Sequence, residues 1–258
     1  MSQPDYSKIT ETPGLRATQE QLERLYHRYH FAKQFCAGKD VVEVACGSGI
    51  GLGYLASFSK MVVGGDIDQK NLRIAQLRYE HNPVIRIEEM DAHQLPFADN
   101  SMDVVILYEA IYYLVDPGKF VEESRRILRD NGTLIICSVN KEWKDFHPSP
   151  YTRDYFSAKE LSLLVMKKFK NVKSFGAFKV EEGVRAGIIS LVKRFAVRFT
   201  LIPGSLKFRG YLKRIFIGKT LPLPSEINEG MTTYEAPVEL SYDQAIADFK
   251  ILYVVCKK

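Results

Sequence analysis

The chain has 258 residues, of which 46% are hydrophobic and 26% charged, with a formal net charge of +5. These proportions are those of an ordinary globular protein, and the length suffices for one large α/β domain or a domain with a cap. No run of about 18 uncharged apolar residues occurs, and the N-terminal sequence MSQPDYSK lacks the basic and then apolar pattern of a signal peptide. We therefore expect a cytoplasmic protein.

The four cysteines predict neither disulfides nor a metal site. They show no CxxC spacing and no clustering with histidine, and three of them lie in or beside strand-like runs. Buried, reduced thiols are the expectation there, and we predict no metal. The residues are Cys36, Cys46, Cys137 and Cys256.

The first elements in chain order are a polar loop over residues 1–14 and a helix that starts near Thr18. Apolar and aromatic side chains follow the loop at helical spacing, which predicts an amphipathic helix. Those side chains are Leu22, Leu25, Tyr26, Tyr29 and Phe35.

A glycine-rich turn follows the first strong strand. Residues 41–53 read VVEVACGSGIGLG, in which residues 41–45 are a short apolar run that predicts a buried strand. The glycines permit a tight turn, and free backbone N–H groups at the start of the next helix suit the polar end of a nucleotide-like cofactor.

The spacing of these glycines disfavours NAD. The dinucleotide fingerprint GxGxxG would need a third glycine where Leu52 or Tyr54 stands, and the looser GxGxxA match that begins at Gly51 lies too far past the strand. The sequence has instead an acid at the end of the strand and then small residues, the pattern E/D-x-G/A-x-G-x-G. These residues are Glu43, Ala45, Gly47 and Gly49.

Strands then alternate with helices. The patterns predict strands at 61–65, 84–90, 102–108, 133–139, 172–180 and 249–256, and helices at 69–79, 117–128 and 158–166. Such alternation indicates βαβ crossovers and a parallel sheet, whose ligands bind beyond the carboxyl ends of the strands.

With these motifs the chain resembles the class I S-adenosylmethionine-dependent methyltransferases, in the branch of type 11 methyltransferase domains that resembles small-molecule and sugar methyltransferases. Residues 95–103, LPFADNSMD, are similar to the family signature LPF-x-D-x-S-F-D. The resemblance implies a Rossmann-like, seven-stranded, mostly parallel sheet. Its C-terminal strand would run antiparallel between the strands at 133–139 and 172–180. It also implies S-adenosylmethionine as cofactor.

The resemblance also assigns residues to that cofactor. Asp66 would bind the ribose hydroxyls and Ile67 would pack on adenine, while the neighbouring Asp68 is the better helix cap. Asp91 and the backbone of Ala92 would bind adenine, although Asp91 could instead cap a turn. The remaining assignments are the motif residues Glu43, Ala45, Gly47 and Gly49, together with Tyr108 and Arg28.

Two of these assignments have a structural alternative. The N-terminal helix covers the cofactor in the family, so Arg28 and Tyr29 could reach the methionyl carboxylate or the acceptor. Tyr29 could equally belong to the core and Arg28 to the solvated surface.

Three residues are candidates for catalysis. Tyr113 stands where relatives often have a histidine, and its ordinary pKa near 10 makes it a poor base. His147 lies in the loop 140–156 that follows a strand end, and imidazole titrates near neutrality, so it is the first candidate base. Glu109 and Tyr113 stand behind it.

Residues 181–247 form an insertion between the last two strands, where a hairpin needs only a few residues. We therefore divide the chain into a loop and cap helix at 1–36, a core at 37–180 and 248–258, and a helical lid or acceptor-binding region at 181–247. Residues 184–219 contain nine basic residues and no acid. They indicate either a lid helix with solvated charges or recognition of an anionic acceptor or acidic membrane surface.

The leading hypothesis is an enzyme that transfers a methyl group from S-adenosylmethionine to a small-molecule, glycan or lipid-linked acceptor, most simply at oxygen. The alternative is a non-catalytic cofactor-binding partner or regulatory protein that docks through the basic insertion. Nucleic acid is disfavoured because no RNA-binding module is recognised and the basicity is local.

Overall fold

The computed structural model describes residues 10–149, 152–180, 220–241 and 245–258. The basic stretch 184–219 therefore lies outside the described residues, and the role expected for it stays a prediction. The helices are α1 (Gln19–Cys36), α2 (Leu52–Ala56), α3 (Gln69–Tyr79), α4 (Pro117–Ile127) and α5 (Ala158–Met166). The strands are β1 (Arg16–Thr18), β2 (Asp40–Val44), β3 (Met61–Asp66), β4 (Ile85–Glu89), β5 (Met102–Tyr108), β6 (Leu128–Val139), β7 (Lys170–Lys179), β8 (Thr220–Pro222), β9 (Val238–Leu240) and β10 (Phe249–Lys257).

The main sheet has the order β4-β3-β2-β5-β6-β10-β7-β9. Strands β4, β3, β2, β5 and β6 pair in parallel, and β10 runs antiparallel between β6 and β7. The Rossmann-like arrangement and the antiparallel C-terminal strand are confirmed. The count of seven strands is wrong, because β9 from the insertion adds an eighth at the edge of β7.

Alternating side chains of the buried strands feed two apolar layers, one on each face of the sheet. Val41, Val104 and Ile106 pack in the layer that contains α1 and α2. Val42 and Val105 pack in the other layer, beneath α4 and α5. The sheet is thus covered on both faces, which explains why β2 and β5 read as continuous apolar runs.

Helix α1 begins where the sequence placed it. Thr18 accepts a hydrogen bond from the backbone N–H of Gln21, and the Gln21 side chain accepts one from the backbone N–H of Thr18, which makes a capping box. All four cysteines are buried and free, as expected. Among the described residues, no helix combines the length and the apolar character that crossing a bilayer requires.

The described part of the insertion packs on α1. Strand β8 pairs antiparallel with β1, and the backbone of Leu223 exchanges hydrogen bonds with Gly14 and Leu15. His27 of α1 donates Nε2–H to the carbonyl of Glu235 at 2.8 Å and accepts from the Tyr253 hydroxyl at 2.7 Å. The histidine thereby joins α1 to β10 and to the insertion.

This buried histidine predicts an acid-sensitive fold. Burial lowers the pKa of His27 from 6.5 to about 4. Between these pH values the unfolded chain binds a proton that the folded chain does not, so stability falls as pH drops, by about 3 kcal/mol in all. We expect His27→Gln to remove this component. The check is urea unfolding of both proteins from pH 7 to pH 4, and a constant difference in stability between them would contradict the assignment.

Candidate active site

A cavity of about 780 Å³ opens at the carboxyl ends of β2, β3 and β5. This is the edge of a parallel sheet where ligands bind. All the predicted site residues except Gly49 and His147 line it. They are Arg28, Glu43, Ala45, Gly47, Asp66, Ile67, Asp91, Ala92, Tyr108, Glu109 and Tyr113.

The turn after β2 is wound tightly. Ala45, Gly47 and Gly49 have φ angles of 57°, 57° and 72°, in the left-handed region that favours glycine. A Cβ on Gly47 would lie 2.7 Å from the Thr10 Cγ2 atom, and one on Gly49 would lie 2.9 Å from the Ala75 Cβ atom. The turn therefore requires glycine at both positions, and Gly49 packs against α3 rather than lining the cavity.

Asp66 holds this turn from the next strand. Its Oδ2 atom accepts from the backbone N–H of Gly47 at 2.8 Å, and its Oδ1 atom accepts from that of Asp68 at 2.8 Å. Burial nevertheless raises the pKa of Asp66. Asp68 caps α3 through the backbone N–H groups of Lys70 and Asn71, so the two acids have separate structural roles.

A buried carboxyl group forms part of the floor of the cavity. The Tyr29 hydroxyl donates to the Glu43 Oε1 atom at 2.6 Å, while Oε2 of Glu43 has no hydrogen-bond partner among the described residues. Glu43 is 2% exposed, and its burial raises its pKa to about 7. Tyr29 is both a core residue and the partner of the motif acid.

Arg28 is buried rather than solvated, with 8% of its surface exposed. Its guanidinium forms an ion pair with Glu11, and its backbone carbonyl accepts from the Tyr108 hydroxyl at 2.8 Å. Burial acts to lower the pKa of Arg28, but the neighbouring Glu11, Tyr29 and Glu109 together outweigh it, and the net shift of the pKa is upward. Glu11 lay in a stretch read only as a loop, and no sequence pattern could have identified it.

His93, which no motif predicted, lines the part of the cavity that the sequence assigns to adenine. His93 accepts from the backbone N–H of Asp116 at its Nε2 atom and donates from its Nδ1 atom to Asp91 at 2.7 Å. Asp91 also accepts from the backbone N–H of His93, as in the turn-capping alternative. Its expected contact with adenine stays a prediction.

The other end of the cavity is lined by Glu109 and aromatic residues. Glu109 follows β5 with a left-handed φ of 51° and accepts from the Tyr112 hydroxyl at 2.7 Å. Its burial raises its pKa. Tyr113 lines the same end. His147 is exposed and is not among the lining residues, so the structure does not bring it together with Glu109 and Tyr113.

Comparison with known proteins agrees with this geometry. Residues 42–136 match a family described as a methyltransferase domain. A probable S-adenosylmethionine-dependent methyltransferase of Mycolicibacterium smegmatis is 32% identical over 161 residues, which cover 60% of this chain and 59% of that protein. Phthiotriol/phenolphthiotriol dimycocerosates methyltransferase 1 of Mycobacterium ulcerans is 32% identical over 152 residues, 55% of this chain and 54% of that protein.

Solved structures agree in fold. A S-adenosylmethionine-dependent methyltransferase of Thermotoga maritima superposes with a TM-score of 0.55 at 20% identity and covers 93% of this chain and 95% of that one. The chain is thus similar in sequence to S-adenosylmethionine-dependent methyltransferases over its central part, and it shares their fold. It spans between half and two thirds of the length of the two curated relatives above.

The charges in the cavity fit S-adenosylmethionine, the cofactor that the name of the Mycolicibacterium smegmatis relative gives. S-adenosylmethionine carries a sulfonium and an ammonium against one carboxylate, so it is a net cation. Among the described lining residues, six acids face four lysines and arginines, and one Glu43 oxygen is buried without a partner. The acids are Glu11, Glu43, Asp66, Asp68, Asp91 and Glu109, and the bases are Arg24, Arg28, Lys70 and Arg153.

The raised pKa of Glu43 predicts a base-sensitive component of stability. Between about pH 4.5 and pH 7 the unfolded chain loses a proton that the folded chain keeps, so stability falls as pH rises, by about 3 kcal/mol. We expect Glu43→Gln, which can still accept from Tyr29, to lack this loss. Denaturant midpoints of both proteins at pH 5, 6, 7 and 8 measure it. Parallel curves would show that Glu43 ionises normally in the folded protein.

Proposed function

We propose that this protein is an enzyme that transfers the methyl group of S-adenosylmethionine to an oxygen of a small-molecule, glycan or lipid-linked acceptor. The observation that carries the proposal is that one cavity is lined by the motif acid Glu43, the glycine turn at Gly47, Asp66 and the half-buried Glu109. S-adenosylmethionine supplies an electrophilic methyl group on a sulfonium.

The cofactor end is assigned as follows. Asp66 binds the ribose hydroxyls with the lone pairs that its two backbone partners leave unused. Ile67, which is 36% exposed, packs on the adenine, and Asp91 with the backbone of Ala92 binds the adenine edge. Arg28 binds the methionyl carboxylate of the cofactor. The Mycolicibacterium smegmatis relative, whose name gives the same cofactor, supports this assignment.

The acceptor end is assigned to the region around Glu109. Glu109 is half-buried, and a carboxylate with a raised pKa accepts a proton more strongly than an ordinary one, which suits removal of a hydroxyl proton as the acceptor oxygen reacts. The Tyr112 hydroxyl holds one of its oxygens, and Tyr113 stands beside it to orient the acceptor. Alignment of the reacting atoms then supplies much of the acceleration.

Glu109 is a better candidate base than His147 on this geometry, since only Glu109 lines the cavity. The non-catalytic alternative, a docking role and contact with an acidic membrane all depend on residues 184–219. Because that stretch lies outside the described residues, nothing in the described part of the chain favours these hypotheses over catalysis.

The first test is cofactor binding by Asp66→Ala, with Asp68→Ala as a matched control. Loss of the charged acceptor for two hydroxyls should weaken S-adenosylmethionine binding by about 1–3 kcal/mol. Asp68→Ala also removes an acid from the cavity lining, but it should cost about 1 kcal/mol of stability through the lost cap of α3 and change binding much less than Asp66→Ala does. Titration calorimetry and thermal melts separate the two effects. Equal affinities of Asp66→Ala and the parent would refute the ribose assignment.

The second test distinguishes the candidate bases. Glu109→Gln should lower kcat by about 10² to 10⁴ without changing cofactor affinity, and His147→Ala should stay within a few-fold of the parent. The parent should also lose activity at low pH as Glu109 is protonated, a loss that Glu109→Gln lacks. Methyl release from labelled cofactor in the presence of hydroxylated acceptors or fractionated extract is the assay. A large loss in His147→Ala alone would reverse the assignment.

A further inference from the structure

Two arginines in the cavity lining have no part in the assignments above. Arg24 and Arg153 line the same cavity as Glu109. Burial raises the pKa of Glu109, and the positive charges of Arg28 and Arg24 act against that rise, so the field of both arginines reaches the candidate base. Arg28 has Glu11 as its ion-pair partner. The charges of Arg24 and Arg153 are balanced less completely.

Arg153 has a fixed backbone and an unpaired side chain. Its backbone N–H donates to the carbonyl of Tyr112 at 2.9 Å, and Tyr155 packs against the Tyr112 ring with ring centres 4.8 Å apart. The side chain is exposed, and its guanidinium has no ion pair or hydrogen bond with any residue that the structure describes. Because the Tyr112 hydroxyl donates to Glu109, Arg153 is anchored to the residue that holds the candidate base.

Arg24 shares its acid with a second cation. It forms an ion pair with Glu20, whose two carboxylate oxygens also accept from the Lys250 ammonium at 3.0 Å. One carboxylate therefore faces two positive charges. The Arg24 Nε–H is buried and has no partner within the described ranges, a state that costs free energy unless a ligand atom accepts from it. The guanidinium also lies 5.6 Å from the centre of the Phe178 ring on β7, on the side of the sheet away from β3 and β4.

Gln21 adds a neutral donor to the same lining. It precedes Arg24 by one turn of α1, and its Oε1 atom accepts from the backbone N–H of Thr18 at 2.8 Å in the capping box. Its Nε2 group makes no hydrogen bond to the part of the chain that the structure covers. Since the helix cap occupies the oxygen, the part of the carboxamide left for a ligand is a donor.

We propose that the methyl acceptor carries an oxyanion, a carboxylate or a phosphate, which Arg153 binds with Arg24 and Gln21 as further donors while the hydroxyl group of the acceptor lies at Glu109. A guanidinium presents N–H groups in a fork that matches both kinds of oxyanion, and the contacts are charge-assisted hydrogen bonds. The inference rests on the proposed function, because it names the class of acceptor for that reaction.

The first test uses acetate, acetamide and inorganic phosphate as probes of the protein saturated with S-adenosylhomocysteine. Acetate and acetamide have nearly the same shape and differ in charge, and phosphate distinguishes the second kind of oxyanion. In protein with isotope-labelled arginine, the Nε–H magnetic resonance signal of Arg153 should shift saturably with acetate or phosphate and not with acetamide. The spectrum of Arg153→Gln, which lacks this signal, assigns it.

Arg125 on α4 is the matched control. It is likewise an exposed arginine without a partner among the residues described, but it does not line the cavity. Its signal, assigned with Arg125→Gln, should show no saturable shift with any probe. If Arg153 responds to the probes only as Arg125 does, its charge is merely solvated and the inference is overturned.

Gln21→Glu tests the neutral donor without removing the helix cap. A glutamate at this position still accepts from the backbone N–H of Thr18, as in the usual capping box, but it replaces the donor with a negative charge. The variant should bind acetate and phosphate about 10-fold more weakly and S-adenosylhomocysteine as the parent does. Unchanged affinity for both anions would contradict the donor role of Gln21.

Methyl transfer to an extract separated on an anion-exchange resin links the site to the acceptor. The acceptor activity should be in the retained fraction, and Arg153→Gln should raise the KM for that fraction about 10-fold while Arg125→Gln leaves it unchanged. Acceptor activity only in the unretained fraction would overturn the inference and leave the proposed function intact. Binding of S-adenosylhomocysteine without methyl transfer to either fraction would instead refute the proposed function, and the inference with it.

Discussion

The hydrogen bond from Tyr29 to Glu43 connects the two parts of the molecule on which the site depends. Glu43 is at the end of the central strand β2, and Tyr29 is on α1, which covers that strand end. A carboxyl group buried this deeply needs a donor, and a buried tyrosine hydroxyl needs an acceptor. The contact satisfies both and sets the position of α1 over the cavity.

The position of α1 then determines what else reaches the cavity. Arg28 lies beside Tyr29 in α1, and its backbone carbonyl accepts a hydrogen bond from the Tyr108 hydroxyl of β5. The ring of Tyr29 packs directly on Gly51, where a Cβ would lie 2.0 Å from the tyrosine Cζ atom. The helix, the glycine turn and two central strands are thus fitted to one another, and a change in any of them moves the charged groups of the site.

The segments that flank the core extend this arrangement. Residues 10–18 and 220–235 pack together through β1 and β8 and against α1, and Tyr54 and Lys33 both donate to Glu229. Glu226 accepts a hydrogen bond from the Tyr79 hydroxyl, which also contacts the carbonyl of Gly49 in the glycine turn as a donor. Part of the insertion therefore supports the glycine turn through Tyr79.

The sequence by itself determined the alternation of strands and helices, the parallel sheet and most of the residues at its carboxyl edge. Apolar periodicity and glycine spacing are local, so α3, β5 and α5 have the predicted bounds and Glu43, Asp66 and Glu109 line one cavity. Only the tertiary structure decided which groups pair. The edge strand β9 is short and mostly exposed and has no apolar pattern, and Glu11 and His93 meet their partners through packing. The exposure of His147 could not be predicted either, because the path of a loop depends on long-range contacts that produce no periodic pattern in the sequence.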